Sequence, residues 1–123
     1  MCQHFKIRGT NLNDVIANVE KLLMFKEKYK SELLISLNMT LMRENILELK
    51  DAIDLCTRIK VTQLDTWPLN NWEGDQHNRQ LRNWNFNYQD QLPWKFKDLY
   101  NNEIDKIIKY SEENNIKFNY FKI

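Results

Sequence analysis

Three polar residues at alternate positions are the clearest candidates for chemistry in this sequence. Ser36, Asn38 and Thr40 supply two hydroxyls and an amide, groups that donate and accept hydrogen bonds to a polar ligand. They alternate with apolar residues, so a strand here would carry all three on one face. Strands covered by helices on both faces are usually apolar throughout. The row therefore indicates a sheet face that is turned toward a ligand or toward water.

The residues around this row predict a parallel α/β unit. Alternation over 33–41 predicts a strand whose second face is apolar and consists of Ile35, Leu37, Met39 and Leu41. The period then changes to three and four residues, which predicts a helix with an apolar face of Ile46, Leu49, Ile53 and Cys56. Asn45 is predicted to cap this helix, with Glu48 at its third position. Residues 61–67 are β-branched and aromatic and predict a second, parallel strand.

The two ends of the chain add further elements. Asn11 can cap a first helix, whose apolar positions are Leu12, Val15, Ile16, Val19, Leu22 and Leu23. A third helix over 99–114 is predicted to bury one face, formed by Ile104, Ile107, Ile108 and Ser111. A final aromatic strand is predicted over 117–123. The sequence thus predicts an α/β fold of about three parallel strands and three helices.

Three strands are too few to close a barrel, so this fold would be an incomplete parallel (βα) barrel. If such a sheet curls with its helices outside, the polar row faces a lumen, which suits a ligand. If the sheet stays open, the row faces water.

Residues 68–97 show no period and predict a long loop. Its aromatic residues are Trp72, Trp84, Phe86, Tyr88, Trp94 and Phe96. They could form a lid over the strand ends, but clustered aromatic side chains more often pack in a core, which favours a plug. His77 in this loop and His4 near the start are isolated, so each is predicted to be a surface imidazole.

Composition excludes several classes of function. A length of 123 residues indicates one domain, and a net charge of +1 with mixed signs gives no electrostatic case for nucleic acid or a membrane. Cys2 and Cys56 are too few for a disulfide framework or a zinc site, and Cys56 is predicted to be a buried thiol. No apolar run suits a signal peptide or a transmembrane helix, so the cytoplasm is the expected compartment.

Three stretches of the sequence resemble the second half of a radical SAM domain. They are 6–12, 35–49 with Met42-Arg43-Glu44-Asn45 at its centre, and 61–72. The branch they most resemble carries a SPASM auxiliary-cluster extension. Domains of this family are six-stranded partial (βα) barrels that use a 4Fe-4S cluster to cleave S-adenosylmethionine. By this resemblance residues 1–123 would form one partial domain, from the third helix to the sixth strand.

The resemblance also implies contacts to S-adenosylmethionine. Arg8 would pair with the carboxylate of the cofactor, which a guanidinium can bind through two hydrogen bonds. The ribose and methionine parts would contact Ser36, Asn38 and Thr40. The backbone from Trp67 to Leu69 would lie against the adenine. Asn45 falls in the matched segment, but its role as a helix cap explains it without a ligand.

The sequence departs from the family at the cluster. The family holds its cluster with a Cys-x3-Cys-x2-Cys loop, which is absent here, and two cysteines cannot replace three converging thiolates. The chain alone is therefore expected to bind no cluster and to be inactive, so that a missing N-terminal half would have to supply it. A truncated reading frame, a split subunit or an excised fragment would each explain this. The alternative is a non-catalytic α/β remnant or small binding module that associates with itself through open strand edges.

Overall fold

A computed structural model describes residues 12–70, 79–81 and 84–123 of the chain. The helices are α1 (Leu12–Lys28), α2 (Leu49–Ile59) and α3 (Lys97–Glu113). The strands are β1 (Leu37–Leu41), β2 (Gln63–Pro68), β3 (Arg79–Leu81), β4 (Trp84–Phe86) and β5 (Lys117–Asn119). Short 3₁₀ helices cover Ile46–Glu48, Tyr88–Gln91 and Pro93–Phe96. The order along the chain is α1–β1–α2–β2–β3–β4–α3–β5.

The main sheet is parallel and has the strand order β1–β2–β5. Its register sets Asn38 of β1 opposite Asp65 of β2, and Asp65 opposite Asn119 of β5. The predicted α/β class, with three parallel strands and three helices, is confirmed. Among the residues that the structure describes, β1 and β5 each pair with one neighbour, so each has one open edge.

The core lies between one face of this sheet and the helices α2 and α3. Its buried side chains are Leu41, Ile46, Leu49, Ile53, Cys56, Leu64, Phe96, Tyr100, Ile104, Ile107 and Ile116. Leu37 and Met39 of β1 pack against this cluster, as the alternation in the sequence predicts. The predicted apolar faces of α2 and α3 are likewise confirmed, because the three- and four-residue spacing brings each set of side chains onto one stripe.

Several predicted boundaries differ from the structure. β1 begins at Leu37 and not at 33, so Ser36 lies just before the strand. The second strand covers Gln63–Pro68 and not 61–67, and the last strand ends at Asn119. The stretch 68–97 is not irregular throughout, since β3 and β4 form an antiparallel pair within it and 3₁₀ helices follow. Strands of three residues are too short for a period to be read from sequence.

The aromatic residues of 68–97 do not share one environment. Phe96 is buried in the core, whereas Trp94 is exposed, so the predicted plug holds for Phe96 and fails for Trp94. Trp72 and His77 lie outside the described residues, as do Cys2, His4 and Arg8. On α1, Leu22 is half exposed although its spacing predicts burial. None of the helices in the described ranges has the length and apolarity of a membrane span.

Candidate functional site

One face of the main sheet carries polar and aromatic side chains from all three strands. We call it the open face and define it by Ser36, Asn38, Thr40, Gln63, Asp65, Trp67, Lys117, Asn119 and Phe121. None of these side chains is buried, in contrast to Leu41 and Leu64 on the opposite face. The open face is therefore the part of the described sheet that a ligand can reach.

The topology explains why α2 and α3 leave this face open. Both crossovers, β1–α2–β2 and β2–α3–β5, step to the next strand in the same direction across the sheet. Crossovers of one handedness that advance in one direction put their helices on the same side. The core on that side takes the apolar residues of each strand, so the alternating polar residues face away from it.

Asp65 is the centre of a hydrogen-bond network on the open face. Its Oδ1 accepts hydrogen bonds from the Asn119 side-chain amide at 2.5 Å and from the Gln63 side-chain amide at 2.9 Å. The hydroxyl of Ser36, which precedes β1, also favours the ionised carboxylate. One carboxylate thus accepts hydrogen bonds from β5 and from its own strand β2, and it links these two strands on the open face.

These donors stabilise the ionised form of Asp65. Hydrogen bonds from Asn119 and then from Gln63 hold the pKa of the Asp65 carboxyl below its ordinary value, with smaller contributions from the Ser36 hydroxyl and from the charge of Lys117. Partial burial acts in the opposite direction and is outweighed. The open face therefore carries a fixed negative charge at neutral pH.

An aromatic pair lies beside this carboxylate. Trp67 follows Asp65 by two residues, and its ring stacks on that of Phe121 with a centroid distance of 5.1 Å and an interplanar angle of 28°. The two side chains are 55% and 49% exposed, respectively. Large aromatic surfaces left this accessible are typical of binding sites.

Helix α3 holds the segment that carries Phe121. The Tyr100 hydroxyl donates a hydrogen bond to the Phe121 carbonyl at 2.9 Å, and burial raises the pKa of Tyr100 to about 12. The Asn101 side chain accepts a hydrogen bond from the Ile123 N–H at 3.0 Å and donates one to its carbonyl at 2.7 Å. These bonds tie the residues after β5 to α3.

The predicted role of Asn45 as a helix cap is wrong. Its side chain makes no capping hydrogen bond, and the 3₁₀ turn Ile46–Glu48 precedes α2. Instead Oδ1 accepts a hydrogen bond from the Met42 N–H at 2.9 Å, and Nδ2 donates one to the Thr40 carbonyl at 2.8 Å. Asn45 is buried, and it fixes the turn at the end of β1 because both ends of its amide are engaged.

Gln91 completes the same turn from a distant part of the chain. Its carbonyl accepts a hydrogen bond from the Arg43 N–H at 3.2 Å, and its side chain accepts one from the Glu44 N–H at 2.8 Å. The Arg43 guanidinium lies over the Phe96 ring, 5.4 Å from its centroid. The peptide N–H groups after β1 are thus engaged within the protein, which leaves side chains as the ligand donors there.

The structure brings most of the sequence-predicted site residues together. Asn38 is exposed, and Ser36 and Thr40 are partly exposed on the same face. Trp67 lies opposite Thr40 in the register. The Leu69 N–H donates to the Leu41 carbonyl at 2.9 Å, so this N–H is not available to an adenine. Arg8 lies outside the described residues.

Asp65, Asn119 and Phe121 were not predicted as site residues. A signal existed for Asp65, because Gln63, Asp65 and Trp67 alternate with Leu64 and Thr66 in the same way as the row on β1. No comparable signal pointed to Asn119 or Phe121, since both belong to the open face through contacts with β2 and α3.

The described residues do not fit an iron–sulfur cluster. Within them, no three or more His, Cys, Asp or Glu side chains are grouped as metal ligands. Cys56 is buried in the core, and desolvation raises its pKa to about 11. A thiolate ligand requires the deprotonated form, which this environment disfavours. The polar groups of the open face, by contrast, fit a ligand with several hydroxyl and amino groups.

Comparisons with protein-family models, with curated proteins and with solved structures found no match. The similarity to radical SAM domains therefore stays a prediction from the residues quoted above.

Proposed function

We propose that this chain is one part of a partial (βα) barrel of the radical SAM type and that its open face binds S-adenosylmethionine. The observation that carries the proposal is the arrangement of the sheet, with α2 and α3 on one face and a polar row on the other. A barrel arc has this arrangement, because its helices lie outside and its inward side chains line the lumen.

The residues of the polar row suit the cofactor. Ser36, Asn38 and Thr40 offer donors and acceptors to the ribose hydroxyls and to the amino and carboxylate groups of the methionine part. When bound, S-adenosylmethionine supplies a sulfonium whose cleavage needs an electron from a cluster. The described residues do not hold such a cluster, so the cysteine-bearing segment would have to come from elsewhere.

A titration of S-adenosylmethionine into ¹⁵N-labelled protein tests the proposal. We expect saturable shifts of the backbone amides of Asn38 and Thr40, with a dissociation constant on the order of 1 mM, since the contacts are exposed. Asn38→Ala and Thr40→Ala should weaken binding, whereas Asn18→Ala, an exposed change on α1, should not. Shifts scattered over α1, or affinity unchanged in both open-face variants, would reject the site.

Catalysis needs a separate test. Anaerobic reconstitution of the chain with iron and sulfide should give no cluster absorbance and no 5′-deoxyadenosine. Both should arise when a separately produced segment with the Cys-x3-Cys-x2-Cys spacing is added. Product from the chain alone would show that the cluster site lies within this sequence.

A second candidate function is a self-associating binding module. The observation that favours it is a run of exposed apolar side chains on α1 and the segment before β1: Leu22, Met24, Phe25, Tyr29, Leu33 and Leu34. This run adjoins β1, whose outer edge has no partner strand among the described residues. A stable oligomer that binds no S-adenosylmethionine would favour this function over the first.

A further inference from the structure

The Asp65 carboxylate and the aromatic pair Trp67–Phe121 occupy neighbouring positions on the open face. Trp67 and Asp65 are two residues apart on β2, which separates their backbone positions by about 7 Å and points both side chains to the same side. Asn119 and Phe121 repeat this arrangement on β5 and the segment after it. The pair Asp65–Asn119 and the pair Trp67–Phe121 therefore lie side by side across two strands.

Asp65 retains room for further hydrogen-bond donors. An ionised carboxylate offers about four acceptor positions, and the hydrogen bonds from Asn119 and Gln63 both go to Oδ1. The residue is only partly buried, so its carboxylate is accessible to solvent or to a ligand with an ammonium group.

The positive charge on the same face lies on the far side of Asp65. Lys117 is opposite Gln63 in the register, whereas Trp67 lies two residues beyond Asp65 in the other direction. Of the two charged residues on the open face, Asp65 is therefore the one nearer to Trp67 along the sheet. The exposed ring faces add attraction for a cation, because the π-electron face of an aromatic ring is negative.

We propose that Asp65, Trp67 and Phe121 form a binding site for a small alkylammonium group. The ammonium donates a hydrogen bond to the carboxylate, and its alkyl chain lies on the Trp67–Phe121 pair. The site shares a sheet face and residue Trp67 with the S-adenosylmethionine contacts that the resemblance implies, but it does not use the polar row on β1. It would select amines over alcohols of the same length.

Titration of n-butylammonium chloride into the ¹⁵N-labelled full chain at constant ionic strength tests this site. The Asn119 side-chain amide and the Trp67 indole N–H should shift saturably, with a dissociation constant on the order of millimolar. Asp65→Asn should weaken binding about tenfold or more, and Trp67→Leu about threefold to fivefold. Asp90→Asn is the matched control, since it removes the same charge from an exposed residue that is not part of the open face.

Two outcomes would overturn the proposal: equal shifts with n-butanol, or affinity unchanged in Asp65→Asn. If Asp65→Asn does not fold, the affinity of Trp67→Leu tests the site instead. This variant should fold, because the half-exposed Trp67 side chain lies outside the core. S-adenosylmethionine is titrated in parallel. Amine binding without S-adenosylmethionine shifts at Asn38 and Thr40 would support this site and contradict the proposed function. S-adenosylmethionine shifts without amine binding would support the proposed function and contradict this site.

Discussion

The side-chain amide of Asn119 donates a hydrogen bond of 2.5 Å to the carboxylate of Asp65, although the two residues are 54 positions apart in the chain. They lie directly opposite each other in the register of β5 and β2. The bond therefore links the last strand to the middle of the sheet on the face away from α2 and α3. It makes one carboxylate important both for the stability of the sheet and for the charge of the open face.

The contribution of Asp65 to stability should disappear in acid. Its pKa is lowered in the folded protein, so its ionised form stabilises the fold above the unfolded-state value of about 3.9, and the stabilisation is lost as the pH falls through the lower folded value. At pH 7, Asp65→Asn should lower the free energy of unfolding by about 1 kcal/mol, because its hydrogen bonds are partly exposed. Urea unfolding between pH 7 and pH 3 measures this.

The difference between the wild type and Asp65→Asn should shrink over this range as the wild-type carboxyl is protonated. Asp90→Asn, an exposed change without the network, should leave the profile unaltered. A difference that stays constant with pH would mean that ionisation of Asp65 does not matter for folding.

Substitutions of Asn45 should distinguish a bridging side chain from a helix cap. A cap tolerates aspartate, because only an acceptor is needed. The bridge does not, because a carboxylate would place a second oxygen against the Thr40 carbonyl. Asn45→Asp and Asn45→Ala should each lower the free energy of unfolding by about 1–3 kcal/mol, the cost of leaving buried polar groups unpaired.

Asn87→Asp is the control for this experiment. Asn87 is an exposed cap whose Oδ1 accepts from the Gln89 N–H at 3.1 Å, so aspartate should be tolerated there. Thermal melting of the three variants gives the comparison. Equal stability of Asn45→Asp and the wild type would restore the capping role.

The thiol of Cys56 should be unreactive in the folded protein. It is buried in the core, and its pKa is raised to about 11, so almost no thiolate is present at pH 8. In a Cys2→Ser background, modification by a disulfide reagent should proceed only at the rate at which the core opens. It should become fast in denaturant, and rapid labelling under native conditions would show that the core around α2 is loose.

The exposed apolar segment before β1 should drive self-association. Leu33 and Leu34 are 60% and 83% exposed and precede β1, whose outer edge has no partner strand among the described residues. Sedimentation at micromolar concentration should reveal species larger than a monomer, and the double change Leu33→Asp with Leu34→Asp should shift them toward the monomer. Leu47→Asp changes a side chain of similar exposure elsewhere and should have no effect. If the wild type sediments as a single monomeric species, the self-associating binding module is rejected as a function.

The local periods in the sequence determined the faces of the elements. Alternation at Leu37 and Met39 fixed which side of β1 meets the core, and the spacing of Ile53 and Cys56 did the same for α2. These predictions succeed because burial of an apolar stripe is favourable whatever its partner is. The polar row of Ser36, Asn38 and Thr40 followed from the same alternation.

The tertiary structure alone decided which side chains meet. Asn119 reaches Asp65, and Phe121 reaches Trp67, only because α3 returns the chain beside β2. Asn45 has the sequence of a cap, yet its amide bonds back to the end of β1, since the chain turns sharply there and leaves two backbone groups to satisfy. Such partners depend on strand register and on turns between distant segments, and neither leaves a period in the sequence.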